Sequence, residues 1–116
     1  MAQTWLEKYS TYEDEITGSL TGITAHAGGG QANATNLTAK YNNVTTVASS
    51  ADSVKVPSAL VGKRICIINT GANALSAYGQ SGDYVNGTLN DFVTIGAGGN
   101  AAVFECIFDG YWTVLQ

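Results

Sequence analysis

The chain has 116 residues, of which 45% are hydrophobic and only 12% charged, and it carries a net charge of −4 at pH 7. This length predicts one domain with a core of its own, and the charged fraction is about half of the usual ~25%. The acidic balance argues against nucleic acid as a partner, which needs basic side chains to neutralise phosphates, and against anionic membrane surfaces.

Residues 1–22 form an N-terminal segment that combines acidic and aromatic side chains. Trp5, Tyr9 and Tyr12 have the i, i+4, i+7 spacing of one helical face, which predicts a short helix that would be unstable alone. Two interpretations stay open. The segment packs on its own domain, or it is an extended or partly helical arm that orders on a neighbouring molecule.

Residues 23–36 predict a flexible connector, because three consecutive glycines do not hold regular structure cheaply. A phosphate-binding loop would need a following Lys-Ser or Lys-Thr and a helix, and neither follows here. His26, the chain's one histidine, is therefore expected to be a surface residue and not a catalytic or metal-binding one.

Residues 37–116 predict a β domain, since short β-branched or alternating runs are separated by turns rich in glycine, asparagine and aspartate. Residues 64–69 are apolar on both faces, which indicates a central strand that is covered on both sides. Asn86-Gly87 is a strong turn dipeptide. The predicted fold is all-β: a small β-barrel or β-sandwich of about seven to eight short strands.

The last two strands are expected to form a hairpin around Asp109-Gly110 with a two-residue type I′ turn. This turn would place Ile107 and Trp112 opposite each other on the outward face, beside Glu105. Such a tryptophan is either half-buried or a contact between subunits. The same register assigns five side chains to the core: Phe104, Cys106, Phe108, Tyr111 and Leu115.

The sequence contains no set of residues that predicts catalysis or metal binding. No base accompanies a nucleophile, and aspartates in predicted turns are favoured by turn geometry alone. We expect no enzymatic activity, no cofactor and no metal; calcium held by turn residues is the alternative. These aspartates are Asp83, Asp91 and Asp109.

The N-terminus lacks the pattern of a signal peptide, and no apolar run approaches the ~20 residues of a membrane span. We therefore expect a soluble protein that is made in a cytoplasm. There, the thiols of Cys66 and Cys106 are expected to be free and buried, with a disulfide as the less favoured alternative.

Three sequence elements occur together and in one order. The first is residues 32–79, which begin ANATNLTAKY and end NALSAYG. The second is the Gly-Asp-x-Val-Asn-Gly element at Gly82–Gly87, and the third is the Asp-Gly-x-Trp element at Asp109–Trp112. Together they resemble a module of tailed-bacteriophage virion structural proteins, over residues 32–116.

The resemblance implies a non-enzymatic virion component that forms a homotrimer. The chain's size is similar to that of capsid decoration (cement) proteins, which bind the major capsid protein on the outer shell and stabilise it. The protein would be made in the host bacterial cytoplasm and end on the capsid surface. Ile107 and Trp112 are the candidates for subunit contacts. Four arm residues are the candidates for capsid contacts: Trp5, Leu6, Tyr9 and Tyr12.

An alternative is a head-fibre or tail-fibre module, or an adhesin tip, that binds host-surface glycans. Aromatic rings could stack on sugars in that case, although packing in the sheet is the more common role for such rings. The candidate rings are Tyr78, Tyr84, Tyr111 and Trp112. A host protein with a borrowed module is a third possibility.

Overall fold

The computed structural model describes residues 16–116, which form eleven β-strands and no helix. The all-β prediction is confirmed for this part of the chain. The strands are β1 (Ser19–Thr24), β2 (Thr35–Asn36), β3 (Tyr41–Thr46), β4 (Ser53–Lys55), β5 (Arg64–Asn69), β6 (Leu75–Tyr78), β7 (Tyr84–Val85), β8 (Thr88–Leu89), β9 (Phe92–Ile95), β10 (Asn100–Phe108) and β11 (Tyr111–Leu115).

Three strands were not predicted, because β1 and β2 lie in the stretches assigned to the arm and the connector and β8 has only two residues. β1 pairs with β3, and β2 pairs with β4. Part of the predicted arm and part of the predicted connector therefore pair with strands of the β domain.

The strands form a seven-stranded sheet, in the order β1-β3-β5-β10-β11-β7-β8, and a four-stranded sheet, in the order β2-β4-β6-β9. From β1 to β6 the chain crosses to the other sheet after every strand, and neighbouring strands in each sheet run parallel. This winding is β-solenoid-like, so the prediction of a barrel or sandwich is wrong.

The C-terminal strands end the winding with mainly antiparallel pairing. β9 runs antiparallel to β6, and β10 lies antiparallel between β5 and β11. β7 and β8 form a small hairpin whose turn, Asn86-Gly87, has positive φ at both residues (49° and 91°). These are the signs that a type I′ turn requires, so this predicted turn is confirmed.

The core lies between the two sheets and follows the period-two alternation of the strands. In β5, Ile65 and Ile67 are buried, whereas Cys66 is half-buried and Ile68 is exposed. β5 is central, as predicted, but its second face is only partly covered by the described residues. The largest fully buried apolar side chains are Trp112, Phe104, Ile65, Ile67, Leu75, Ile95, Val44, Val47, Val54, Val56 and Val85.

The β10–β11 hairpin has a different register from the predicted one. Cys106 pairs with Trp112 and Phe108 with Tyr111, so Ile107 is an extra residue that forms a β-bulge. Of the two turn residues only Gly110 has a positive φ, so the turn is not type I′. Beyond the bulge the pairing is shifted by one residue relative to the prediction.

Specific hydrogen bonds hold the glycine-rich connector (residues 23–36) against β4 and the turn that precedes it. Asp52 is buried, and its carboxylate accepts hydrogen bonds from the amides of Gly28 (3.2 Å) and Ser49 (3.1 Å). Ser53 Oγ donates to the carbonyl of Gly30 at 2.7 Å. The connector is therefore part of the first solenoid turn.

Gly29→Ala is expected to destabilise the fold more than Gly30→Ala. Both positions have positive φ (71° and 83°), which costs an alanine about 1–2 kcal/mol. At Gly29 an added Cβ would also lie 2.5 Å from the carbonyl oxygen of Ala51, whereas at Gly30 it would meet nothing within 4 Å. We expect at least ~1 kcal/mol of additional loss at Gly29, measured by urea denaturation. Equal losses of unfolding free energy in the two variants would contradict the close contact between an added Cβ at Gly29 and the Ala51 carbonyl oxygen.

Candidate assembly surface

The side of the seven-stranded sheet that points away from the core carries apolar side chains in cross-strand rows. The first apolar row runs across β3, β5, β10 and β11 through Tyr41, Cys66, Val103 and Leu115, each paired with the next. Tyr41 and Leu115, at its two ends, are 53% and 52% exposed, and the two central residues are partly buried by their neighbours.

Ile68 extends this apolar surface along β5. It pairs with Asn43 on β3 and with Ala101 on β10, so it lies next to the first apolar row on the same side of the sheet. Ile68 is 37% exposed, although it lies on a central strand. An isoleucine in this environment is a good candidate for coverage by another molecule.

A polar row lies on the other side of the first apolar row. Arg64 on β5 pairs with Glu105 on β10, which pairs with Thr113 on β11. Arg64 Nε lies 3.2 Å from Glu105 Oε1, and both side chains are well exposed. An exposed ion pair of this kind adds only about 0.2–1 kcal/mol to stability.

The second apolar row crosses β10, β11, β7 and β8 through Phe108, Tyr111, Tyr84 and Leu89. The rings of Tyr84 and Tyr111 are stacked, with centroids 5.5 Å apart and an interplanar angle of 9°. The ring centroids of Phe108 and Tyr111 lie 4.7 Å apart. We call the two apolar rows, Ile68 and the polar row between them the outer face.

The predicted core assignments of Phe108 and Leu115 are wrong, because both side chains are more than half exposed on the outer face. Phe104 and Cys106 are buried as predicted, and Tyr111 is half-buried on the outer face. The shift at the Ile107 bulge explains the difference, since a one-residue change of register moves side chains to the opposite side of a sheet.

Of the two residues predicted to contact another subunit, Trp112 lies in the core and Ile107 lies on the surface. Trp112 has no exposed surface and packs edge-on against Phe104, with ring centroids 5.9 Å apart, so it is not on the outward face. Ile107 is 64% exposed beside the outer face, and its contact with a second subunit stays a prediction. The predicted arm contacts lie outside the described residues: Trp5, Leu6, Tyr9 and Tyr12.

The predicted glycan-stacking rings are divided among three places. Tyr84 and Tyr111 stack on each other in the outer face, and Trp112 is in the core. Tyr78 lies on the small sheet, 4.9 Å from the ring of Phe92. The structure therefore groups only two of the four rings on one surface.

The turn aspartates Asp83 and Asp109 accept hydrogen bonds from backbone amides of one neighbouring turn. Asp83 Oδ2 accepts from the amide of Ala59 and Asp109 Oδ1 from that of Val61, each at 2.9 Å. Their structural role agrees with the turn preference of aspartate. Within residues 16–116, no three His, Cys, Asp or Glu side chains are grouped closely enough to hold a metal ion.

Both thiols are free. Cys106 is buried and Cys66 is half-buried, so the prediction of free thiols is confirmed, but full burial holds only for Cys106. Burial raises the pKa of the Cys106 thiol, which favours the unreactive protonated form. His26 forms an isolated backbone bridge with Ser53.

The outer face could have been suspected from the sequence at one point only. Cys66 and Ile68 alternate with buried isoleucines on β5, and this pattern showed a strand with two apolar faces. The cross-strand rows depend on parallel pairing and on the bulge at Ile107, and neither is visible as a local pattern. Residues 16–116 contain no helix that could span a membrane.

No protein-family model, no curated protein and no solved structure matches this chain.

Proposed function

We propose that this chain is a non-enzymatic structural component of a tailed-bacteriophage virion. In its most specific form, it is a homotrimeric decoration protein that binds the major capsid protein on the outer surface of the shell and stabilises it. The proposal starts from the resemblance over residues 32–116, and the outer face is the structural observation that supports it.

The outer face supports an assembly role because a central part of a sheet is exposed there with apolar side chains. Burial of apolar surface stabilises by about 25 cal/mol per Å², so association that covers this face is favourable. The chain also has few charged side chains to oppose close contact with other proteins. Repeated contacts at symmetric capsid sites would then add avidity without a deep pocket.

The arm is proposed to provide the contact with the shell. Trp5 and Tyr9 are large aromatic residues of the kind that anchors interfaces, and they precede β1 in the chain. β1 pairs with β3, so a truncation that tests the arm should end before Ser19. Deletion of residues 1–15 meets this condition and retains every described residue.

The test is co-sedimentation with expanded capsid shells of the phage that encodes the chain. We expect the full chain to sediment with the shells, and the chain lacking residues 1–15 to stay in the supernatant while keeping its fold and solution mass. A full-length variant with serine at the four arm positions controls for length: Trp5, Leu6, Tyr9 and Tyr12. If the full chain does not bind shells, decoration is wrong; if the truncated chain binds equally well, the arm role is wrong.

A fibre module or adhesin that binds host-surface glycans is the second candidate, and the second apolar row favours it. Tyr84, Tyr111 and Phe108 form a continuous aromatic cluster in which Tyr84 and Phe108 are exposed, and rings of this kind stack on sugars. Binding on a glycan array that is lost in Tyr84→Ala, together with absence from the capsid shell, would support this candidate over decoration.

A further inference from the structure

We propose that the outer face is the surface through which copies of this chain bind one another. The occupant of the face is a second copy of the same chain. This inference deepens the proposed homotrimer and rests on it, because it names the residues that would join the subunits.

The rows of the outer face suit sheet-to-sheet packing. The side chains of the first apolar row come from four adjacent strands and form one layer, with the half-buried Cys66 and Val103 in the middle and the exposed Tyr41 and Leu115 at the ends. Sheets that pack face to face interdigitate such layers at a separation of about 10 Å. In a cyclic trimer each copy can turn this layer toward the threefold axis, so that the apolar rows of neighbouring copies meet there.

The charges of the polar row indicate that the neighbouring sheet belongs to another copy of this chain. The face carries a positive charge on β5, at Arg64, and a negative charge on the adjacent strand β10, at Glu105. In a cyclic assembly whose axis runs along the strands between β5 and β10, each copy places the β5 side of its face against the β10 side of a neighbour's face. Arg64 then lies near Glu105 of the neighbouring copy, and the apolar row meets an apolar row.

An unrelated partner would have to supply both an acidic and a basic group at the spacing of adjacent strands to match the same row. A second copy supplies both without any further requirement. Arg64 and Glu105 already form an ion pair within the chain, so a surface of one charge sign would place a like charge against one of them, and such mismatches disfavour association. The charge pattern therefore favours self-association over docking on an acidic or a basic protein.

The first test compares the solution mass of three chains by size-exclusion chromatography with light scattering. Leu115→Asp places a charge at one end of the first apolar row, where the side chain is 52% exposed, so the fold of the single chain is expected to remain intact. Leu60→Asp is the matched control, because Leu60 is a leucine of similar exposure (46%) in the turn before β5, outside the outer face.

We expect a mass near that of three chains for the unmodified protein and for Leu60→Asp, and a mass near that of one chain for Leu115→Asp. A single-chain mass for the unmodified protein at every concentration would overturn the proposal. An unchanged mass for Leu115→Asp would overturn it as well.

Cys66 provides a second measurement that does not depend on a variant folding correctly. Its thiol lies in the middle of the first apolar row, so association through the outer face covers it. We expect alkylation of Cys66 by iodoacetamide in the unmodified protein to be at least roughly tenfold slower at high than at low protein concentration. A rate that does not change with concentration would contradict coverage of this face.

The charge pattern has its own test. Arg64→Glu places two carboxylates together within the chain and across the proposed contact, so we expect it to weaken association; the double variant Arg64→Glu/Glu105→Arg should restore it. Unchanged association in the single variant would overturn the role of the polar row. A trimer that binds no shells would refute the decoration role alone, whereas shell binding by single chains with a reactive Cys66 would refute this inference alone.

Discussion

Replacing Trp112 by alanine is expected to lower the free energy of unfolding by about 3–5 kcal/mol, which is a large part of the stability of a domain of this size. Trp112 is the largest fully buried side chain of the described residues and packs edge-on against Phe104. It pairs with Val85 of β7, and a Cβ added at Gly79 would lie 3.4 Å from its Cδ1. Its removal would leave a cavity that several elements border.

The indole nitrogen of Trp112 makes the comparison with phenylalanine informative. Nε1 is buried without a hydrogen-bond partner, so the tryptophan already bears the cost of desolvating a donor. Trp112→Phe removes that cost while it keeps one ring, and we expect it to lose roughly 2 kcal/mol less than Trp112→Ala.

The measurement for both variants is urea denaturation followed by far-ultraviolet circular dichroism, since the substitution removes a fluorescent residue. Ile107→Ala serves as the control, because Ile107 is an exposed residue of the neighbouring strand and its loss should cost less than ~0.5 kcal/mol. Similar losses for Trp112→Ala and Ile107→Ala would show that the hairpin register described above is incorrect.

Asn69→Asp is expected to destabilise the fold by about 3 kcal/mol or more at pH 7, with a loss that depends on pH. Asn69 is fully buried at the end of β5. Its Nδ2 donates hydrogen bonds to the carbonyls of Asn73 and Ile95, each at 2.9 Å. Its Oδ1 accepts one from the amide of Gly71 at 3.0 Å. A carboxylate would keep the acceptor but direct its second oxygen at two carbonyl oxygens.

The pH dependence follows from the position of this introduced carboxyl. Burial beside two acceptors raises its pKa in the folded state above the unfolded value of about 3.9. The protonated form recovers one donor, so the penalty is smallest below about pH 4. It then grows as the pH rises, until the folded-state pKa is passed.

The measurement for this variant is the difference in unfolding free energy between Asn69→Asp and the unmodified chain, determined from pH 3 to pH 7. Asn69→Ala is the control, because it loses the same hydrogen bonds without adding a titratable group. A difference that is independent of pH in Asn69→Asp would mean that the introduced carboxyl reaches solvent and that the site is not closed.

The strand content of this chain could be predicted from local patterns, but the winding of the chain could not. Alternation and β-branched runs identified eight of the eleven strands in residues 16–116, including β5 with its two apolar faces. Short strands separated by turns suggest antiparallel neighbours, whereas here β3 and β5 lie side by side in parallel with β4 in the other sheet. Parallel pairing depends on contacts between distant residues, which no local pattern records.

The candidate surface was missed for a more specific reason. The Asp109-Gly110 dipeptide suggested a tight turn, and that turn fixed a register in which Phe108 and Leu115 pointed inward. One extra residue, Ile107, shifts the pairing beyond it. Trp112 therefore moves into the core and Leu115 to the outer face. Bulges have no strong sequence signature, so a single residue changed both the predicted core and the predicted surface.

The two edges of the seven-stranded sheet differ in a way that limits polymerisation by strand pairing along this sheet. β1 is a six-residue edge strand without a charged side chain, and no described strand pairs with its outer edge. At the opposite edge of the same sheet, β8 has only two residues. Indefinite head-to-tail stacking needs a long open edge at both ends, because every added molecule must offer the next one a template. Among the strands of residues 16–116, the seven-stranded sheet therefore offers one long open edge and not two, so strand addition along this sheet stops after one pairing.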